Sequence, residues 1–192
     1  MLVDGYKFDL RVYVVIMGTD PISAFVCDEG LARFCTVSIY LQVRIYQEKY
    51  EKPTKENFKQ FFMHLTNYSI NKHSEDFKES DNILGINNAT KRTITSLMLS
   101  LKVQGVDVVK LRHNINKTCI NALSVYAPMI EHGLSVATNC KPLEGKFFQI
   151  LGFDILPDEN LDCYLLEIND HPSLDIYLEK DFMGGGGLKT LS

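Results

Sequence analysis

Two apolar runs joined by a polar turn, within residues 152–173, constrain the fold of this chain more than any other stretch. Such runs predict two antiparallel strands, and only a few polar residues interrupt them, namely Asp154, Glu167 and Asn169. Because successive side chains of a strand point to opposite faces, Glu167 and Asn169 share one face. A carboxylate among buried strand residues is costly unless a partner compensates it, so this hairpin is a candidate functional site.

The polar residues of the hairpin offer only oxygen ligands: two carboxylates and one amide oxygen. Such a set suits Mg²⁺ better than Zn²⁺, and Mg²⁺ is commonly bound through one or two carboxylates together with substrate phosphates. The pattern therefore suggests a nucleotide–metal site at Asp154, Glu167 and Asn169. Spacing alone leaves a structural alternative open, in which Asp154 lies beside a turn and Glu167 pairs with a core arginine.

Residues 6–17 alternate between apolar and polar side chains, which predicts a strand with one buried face. The buried face carries Phe8, Leu10, Val12, Val14 and Ile16. The opposite face carries charges of mixed sign at Lys7, Asp9 and Arg11. Two interpretations stay open for these charges: a solvated strand face, or a wall of a phosphate site in which Asp9 orients the two cations.

Two more strands are predicted to complete a meander with this one. A turn at residues 18–21 leads into a strand at 22–27, a hairpin loop at 28–30 and a strand at 31–36 that carries Arg33. His64, farther along, is interpreted as a packed, hydrogen-bonded histidine, because no second histidine or cysteine lies at ligand spacing.

Residues 91–103 and 107–131 are predicted to be helical. The second segment has an apolar stripe at helical spacing, and Gly133 is predicted to end this helix. The stripe consists of Leu111, Ile115, Cys119, Leu123, Tyr126, Met129 and Ile130. Strands and helices together predict an α+β domain in which the stripe packs on the sheet.

Composition limits the function classes. With 192 residues, a net charge of −4 and a pI of about 5.7, the chain is long enough for one domain and has no broad basic surface. Nucleic acid and anionic membranes are therefore poor candidates for its main partner. Five cysteines without a Cys-x-x-Cys pair indicate a reducing compartment. Because neither a signal peptide nor a membrane-length apolar run is present, we expect a cytosolic protein.

Four segments stand in series along the chain. They read Lys-Phe-Asp-Leu-Arg at 7–11, Glu-Gly-Leu-Ala-Arg-Phe at 29–34, His-Leu-Thr-Asn-Tyr-Ser-Ile-Asn-Lys at 64–72, and Gly-Phe-Asp at 152–154 with Leu-Glu-Ile-Asn-Asp-His-Pro-Ser at 166–173. In order and spacing these segments resemble the tubulin–tyrosine ligase-like family over about residues 2–178. Members of that family are ATP-grasp ligases that join an amino acid to a protein carboxylate, usually on tubulin tails. The ending of the third segment looks more like the glutamate-adding members.

The resemblance implies an ATP-grasp-like antiparallel sheet packed with helices. Residues 1–178 would be the C-terminal part of the family's catalytic domain, because the segments that grip the adenine and the inner phosphates lie upstream in the family. Residues 179–192, which include four consecutive glycines, are expected to form a flexible tail.

The resemblance also implies a role for each site residue. Arg11 and Arg33 would be the catalytic arginines, whereas Asp154, Glu167 and Asn169 would hold Mg²⁺. The nucleotide would be bound by Lys7, Asp9, Thr66 and Asn67.

The expected cofactors are ATP and Mg²⁺. The expected partners are tubulin or microtubules and a free amino acid, for which glutamate is the expectation. The expected location is the cytoplasm and cytoskeleton, with the cilium or basal body as one address. Two alternatives stay open: glycine or tyrosine as the added amino acid, and an inactive fragment that binds tubulin or another partner.

Overall fold

The computed structural model describes residues 1–19, 21–35, 50–66, 91–139 and 148–174. Their central feature is a six-stranded antiparallel sheet in the order β4-β3-β2-β5-β6, with β1 paired to β2. The strands are β1 (Leu2–Val3), β2 (Tyr6–Thr19), β3 (Ile22–Phe34), β4 (Lys91–Thr93), β5 (Gln149–Pro157) and β6 (Cys163–Asn169). The helices are α1 (Phe61–His64), α2 (Ile94–Val103) and α3 (Val108–Ala137). The α+β prediction is confirmed.

One face of the sheet packs against α2 and α3, and the alternation of β2 decides which face this is. The apolar side chains predicted for its inner face, from Phe8 to Ile16, are all buried. They share one core cluster with Leu97 and Leu101 of α2 and with Leu111 and Ile115 of α3. The predicted stripe of α3 is thus confirmed at its N-terminal half, whereas Met129 is 68% exposed and lies off the packed face.

Short polar side chains fix where the two long helices begin. The Thr93 hydroxyl accepts a hydrogen bond from the amide of Ser96 at 3.1 Å, and Asp107 accepts one from the amide of Lys110 at 2.9 Å. Each is an N-cap that satisfies an amide lacking a partner inside the helix. Because Lys91–Thr93 pairs with β3, the predicted helix at 91–103 begins three residues late, after a short strand.

A polar stripe on α3 holds the β5–β6 hairpin against the helix. Lys110, Asn114 and Thr118 occupy positions i, i+4 and i+8 of one helix face. They donate hydrogen bonds to the carbonyls of Asn160, Leu161 and Cys163 at 3.0, 2.8 and 3.2 Å, respectively. The hairpin is therefore docked along its turn as well as paired to β2.

The predicted hairpin loop at residues 28–30 is wrong, because these residues lie inside one continuous strand. Both halves of β3 pair with β2, and a register shift opposes Gly30 to Val12 but Val26 to Val14. The residues between Val26 and Gly30 therefore form a bulge opposite Tyr13. A Cβ on Gly30 would overlap the backbone carbonyl of Arg11, so the close approach of the two strands needs glycine here.

The prediction that Gly133 ends α3 is also wrong, because the helix continues through Pro128 and Gly133 to Ala137. The glycine that does end a helix is Gly105, which follows α2 with φ of 83°. Its amide bonds to the carbonyl of Lys102, and the amide of Val106 bonds to that of Leu101. These two bonds form a Schellman motif, which requires the left-handed backbone that glycine adopts easily.

Four cysteines within the described residues carry free thiols. Burial raises the pKa of Cys35 and of Cys119 to about 12, which keeps both thiols neutral and unreactive. Cys35 and Cys119 are both buried, whereas Cys27 and Cys163 are half-buried. None of the helices in the described parts of the chain has the length and apolar character of a membrane-crossing helix. The predicted tail at 179–192 lies outside the described residues.

Candidate functional site

The predicted site residues converge on the face of the sheet that points away from α2 and α3. Strand register places Asp9 opposite Arg33, Arg11 opposite Asp154, and Asp154 opposite Glu167. Directly opposite residues of an antiparallel pair lie on the same face with Cβ atoms close together. One row of side chains therefore crosses β2, β5 and β6, with Arg33 of β3 beside it.

Arg11 and Arg33 both bind the carboxylate of Asp154. Arg11 contacts Asp154 through Nε at 2.5 Å and through Nη2 at 3.0 Å, and Nη2 of Arg33 lies 2.8 Å from Oδ2 of Asp154. Arg33 also forms a two-point contact with Asp9, through Nε at 2.8 Å and Nη2 at 2.6 Å. The four side chains form a chain of alternating charge, in the order Asp9, Arg33, Asp154 and Arg11, which we call the arginine–aspartate network.

The arginine–aspartate network lies largely out of water. The aspartate side chains are 3–4% exposed and those of the two arginines 12–15% exposed. Burial by itself would raise the pKa of Asp154, but the hydrogen bonds and charges of Arg11 and Arg33 hold it below its ordinary value. Burial by itself would likewise lower the pKa of Arg33, but Asp9 and Asp154 raise it overall. All charges of these two groups are therefore retained at neutral pH.

The segment at residues 50–66 brings further polar groups to the start of β2. The ammonium of Lys7 donates to the backbone carbonyl of His64 at 2.8 Å. The hydroxyl of Thr66, which is buried, donates to Oδ2 of Asp9 at 2.8 Å. Lys7 and Thr66 thus lie close to Asp9, at one end of the arginine–aspartate network. Asn67 lies outside the described residues.

The residues predicted to hold a metal are adjacent, and they offer the oxygen ligands that Mg²⁺ prefers. Glu167 is exposed, and Nδ2 of Asn169 donates to its Oε1 at 3.2 Å and to the carbonyl of Gly152 at 3.4 Å. Since Nδ2 makes both bonds, Oδ1 of Asn169 is left to face a cation beside Glu167, whereas both oxygens of Asp154 also accept from Arg11 or Arg33. The described residues include no group of three or more His, Cys, Asp or Glu side chains arranged for a metal. A set of two carboxylates and one amide oxygen agrees with Mg²⁺, which keeps several waters.

Gly152 and Tyr13 are site residues that the sequence interpretation missed. A Cβ on Gly152 would lie 2.9 Å from Cδ of Arg11 and 2.7 Å from Cβ of Pro172, so the Arg11 side chain crosses β5 only because no side chain is there. The Tyr13 hydroxyl donates to the carbonyl of Ser173 at 2.7 Å, which ties the segment after β6 to the same face. Tyr13 follows Lys7, Asp9 and Arg11 at the two-residue period of a strand. This period could have predicted that Tyr13 lies on the same face of the sheet.

Comparison with known proteins gives the family of this chain. The model of the tubulin-tyrosine ligase family matches residues 1–182. Over 182 residues the chain is 40% identical to the tubulin polyglutamylase TTLL6 of Mus musculus, a match that covers 94% of this chain and 20% of that protein. The tubulin polyglutamylase TTLL11 of Homo sapiens is 36% identical, with 96% of this chain and 24% of that protein covered.

A third relative gives a similar match. The probable beta-tubulin polyglutamylase of Tetrahymena thermophila is 36% identical over 94% of this chain and 15% of that protein. The chain thus spans about a fifth of the length of the curated relatives it matches. Because the family model matches 182 of the 192 residues, the chain belongs to the tubulin-tyrosine ligase family.

Proposed function

We propose that this chain forms the arginine and metal side of the catalytic site of an ATP-dependent ligase that adds glutamate to tubulin. The observation that carries the proposal is the arginine–aspartate network, in which two arginines converge on Asp154 beside Glu167 and Asn169. Family membership supports a ligase, and the polyglutamylase names of the relatives support tubulin as the acceptor.

The proposed reaction has two steps. A carboxylate on the acceptor takes the γ-phosphoryl group of ATP, which yields an acyl phosphate and ADP. The amine of the incoming amino acid then attacks the acyl carbon, an amide bond forms, and phosphate leaves. Negative charge grows on phosphate oxygens in the first step and on the carbonyl oxygen in the second. Neither step needs a covalent bond to an enzyme side chain.

Arg11 and Arg33 suit both steps. A guanidinium group is permanently charged, planar and able to make two parallel hydrogen bonds to a carboxylate or phosphate. Asp9 and Asp154 hold both groups in place, so little reorganisation is needed when substrate charge develops. Lys7, Asp9, Thr66 and Asn67 would bind the nucleotide.

The residues that would hold Mg²⁺ are Asp154, Glu167 and Asn169. The ion supplies charge neutralisation at the phosphates when bound. Under this proposal the protein acts in the cytoplasm at the cytoskeleton, including cilia, and its partners are acidic tubulin tails and free glutamate.

The first test is thermal unfolding of the chain with and without Mg·ATP. Bound ligand at about 100 times its dissociation constant stabilises the folded state by roughly 2.7 kcal/mol, which raises Tm. We expect a magnesium-dependent shift that Glu167→Ala abolishes and that Glu131→Ala, at an exposed position of α3, leaves unchanged. An equal shift in both variants would refute the metal assignment.

Amino-acid specificity requires a second experiment, on the longer protein that contains this sequence. Labelled glutamate, glycine and tyrosine would compete for incorporation into tubulin, and we expect glutamate to prevail. If glycine or tyrosine is incorporated instead, the assignment of glutamate is wrong and that amino acid takes its place. No incorporation of any of the three, together with retained tubulin binding, would favour the non-catalytic alternative.

A further inference from the structure

The segment at residues 50–66 forms a small frame that supports the start of β2. Its first contact is the amide of Tyr50, which donates to the carbonyl of Gly5 at 2.8 Å. Its last two contacts are the carbonyl of His64, on the ammonium of Lys7, and the hydroxyl of Thr66, on the carboxylate of Asp9. The frame therefore touches β2 and the turn before it at three points along one side.

His64 lies at the centre of this frame. Its side chain is buried, with the residue 8% exposed, and Nε2 lies 3.1 Å from the carbonyl of Asn57. A carbonyl only accepts hydrogen bonds, so Nε2 is the donor in this contact. The ring also meets Tyr50 edge to face, with centroids 5.9 Å apart.

The side chain of Asn57 is held by hydrogen bonds to the residues just before it in the chain. Its Oδ1 accepts from the amide of Thr54 at 2.6 Å, and its Nδ2 donates to the carbonyl of Lys52 at 3.1 Å. The carbonyl that receives the His64 ring is thus held by a closed set of local bonds. One end of His64 is anchored through its ring, and the other end presents its carbonyl to Lys7.

We propose that His64 is a positioning residue, whose anchored ring fixes the backbone carbonyl that orients Lys7 for the nucleotide. The identity of the ligand, a nucleotide, rests on the proposed function. The orientation of Lys7 by the carbonyl of His64 does not, because that contact lies within the chain itself. Nδ1 has no hydrogen-bond partner within the described residues, so the ring's contribution to the frame comes through Nε2 and its packing. The frame therefore requires, at position 64, a side chain that donates a hydrogen bond to the carbonyl of Asn57.

The test is the reactivity of the Lys7 amine, measured without nucleotide. The full chain is treated with a limiting amount of an acylating reagent, and acylation of each lysine is quantified by peptide mass spectrometry. Lys102, which is exposed at the end of α2, is the internal reference. A hydrogen bond to an ammonium group is worth enough that its loss should raise acylation of Lys7 by about fivefold or more.

Four variants distinguish a specific effect of His64 on the position of Lys7 from a general loosening of the fold. We expect His64→Leu to raise Lys7 acylation and His64→Gln, which restores a donor near Nε2, to keep it near the unsubstituted level. His113→Leu makes the same change at an exposed histidine of α3 and should alter nothing. If His64→Leu does not fold, Tyr50→Leu removes the ring contact instead and should raise acylation about twofold. Unchanged Lys7 acylation in a folded His64→Leu or, failing that, a folded Tyr50→Leu overturns the proposal.

Mg·ATP binding is measured separately on the same variants by the shift in Tm. We expect weaker binding in His64→Leu, by about fivefold, and near-normal binding in His64→Gln. If the unsubstituted chain shows no shift, the proposed function fails while the acylation result still decides the orientation of Lys7. Equal nucleotide binding in His64→Leu, despite greater Lys7 acylation, would overturn the link between His64 and the nucleotide.

Discussion

Phe153 and Asp154 are neighbours on β5, both are almost fully buried, and they lie on opposite faces of the same sheet. Phe153 belongs to the apolar core under α2 and α3, where water is excluded by close packing. Asp154 belongs to the arginine–aspartate network, where charges stay out of water only because opposite charges meet them.

The comparison shows two unequal ways to bury side chains. Burying apolar surface is favourable in itself, whereas a buried ion pair loses in desolvation much of what it gains in attraction. A chain selected for stability alone would gain little from the charged face. Its presence beside exposed Glu167 therefore agrees with a site that acts on charged ligands, as we propose.

The largest effect is expected on the packed face. Phe153→Ala removes a fully buried aromatic side chain, and we expect unfolding to become easier by about 3–5 kcal/mol. Urea unfolding measures this, and Phe25→Ala on β3, where the side chain is 63% exposed, is the matched control. Equal losses in the two variants would contradict the assignment of the core face.

Removing one arginine from the arginine–aspartate network should lower the free energy of unfolding by somewhat less. Arg33→Ala leaves Asp9 and Asp154 buried with one cation fewer, for which we expect a loss of about 3 kcal/mol at neutral pH. Arg33→Lys keeps the charge but not the two-point contact, so its loss should be smaller. Lys117→Ala, at an exposed position of α3, should change the free energy of unfolding by less than about 0.5 kcal/mol. An Arg33→Ala loss no larger than that of Lys117→Ala would show that the network contributes nothing.

Adding a methyl group at Gly152 should have an intermediate effect on the free energy of unfolding. Gly152→Ala places Cβ against Arg11 and Pro172, and we expect a loss of about 1–3 kcal/mol and a displaced Arg11. Gly133→Ala is the opposite control, because its Cβ meets no atom within 4 Å inside α3 and should stabilise by about 0.5–1 kcal/mol. Differential scanning calorimetry distinguishes the two signs, and equal signs would contradict the close contact at Gly152.

The smallest effect on stability is expected at Glu167. Because its side chain is exposed, Glu167→Ala should change the free energy of unfolding by less than about 0.5 kcal/mol. The same change should abolish the magnesium-dependent shift with ATP, which separates a functional loss from a structural one. A large loss of stability would mean that Glu167 supports the fold instead.

The sequence by itself determined the alternating faces of β2, the β5–β6 hairpin and the shared face of Glu167 and Asn169. These depend on the two-residue period of a strand and on neighbours in the chain. It also predicted which charged residues would gather, although only through the resemblance to a family. It did not reveal Tyr13 as a tether for Ser173, nor the carbonyl of His64 as the partner of Lys7.

Tertiary structure alone decided the partners and the ends of elements. Arg11 and Asp154 are 143 residues apart in the chain, and only the register between β2 and β5 makes them opposite each other. Asp28, Glu29 and Gly30 have the composition of a loop, but pairing with β2 on both sides keeps them in one strand. Gly133 has the local preference of a helix end, yet Leu134 to Ala137 continue the helix. Local preferences are worth about 1 kcal/mol, and long-range pairing and packing exceed that.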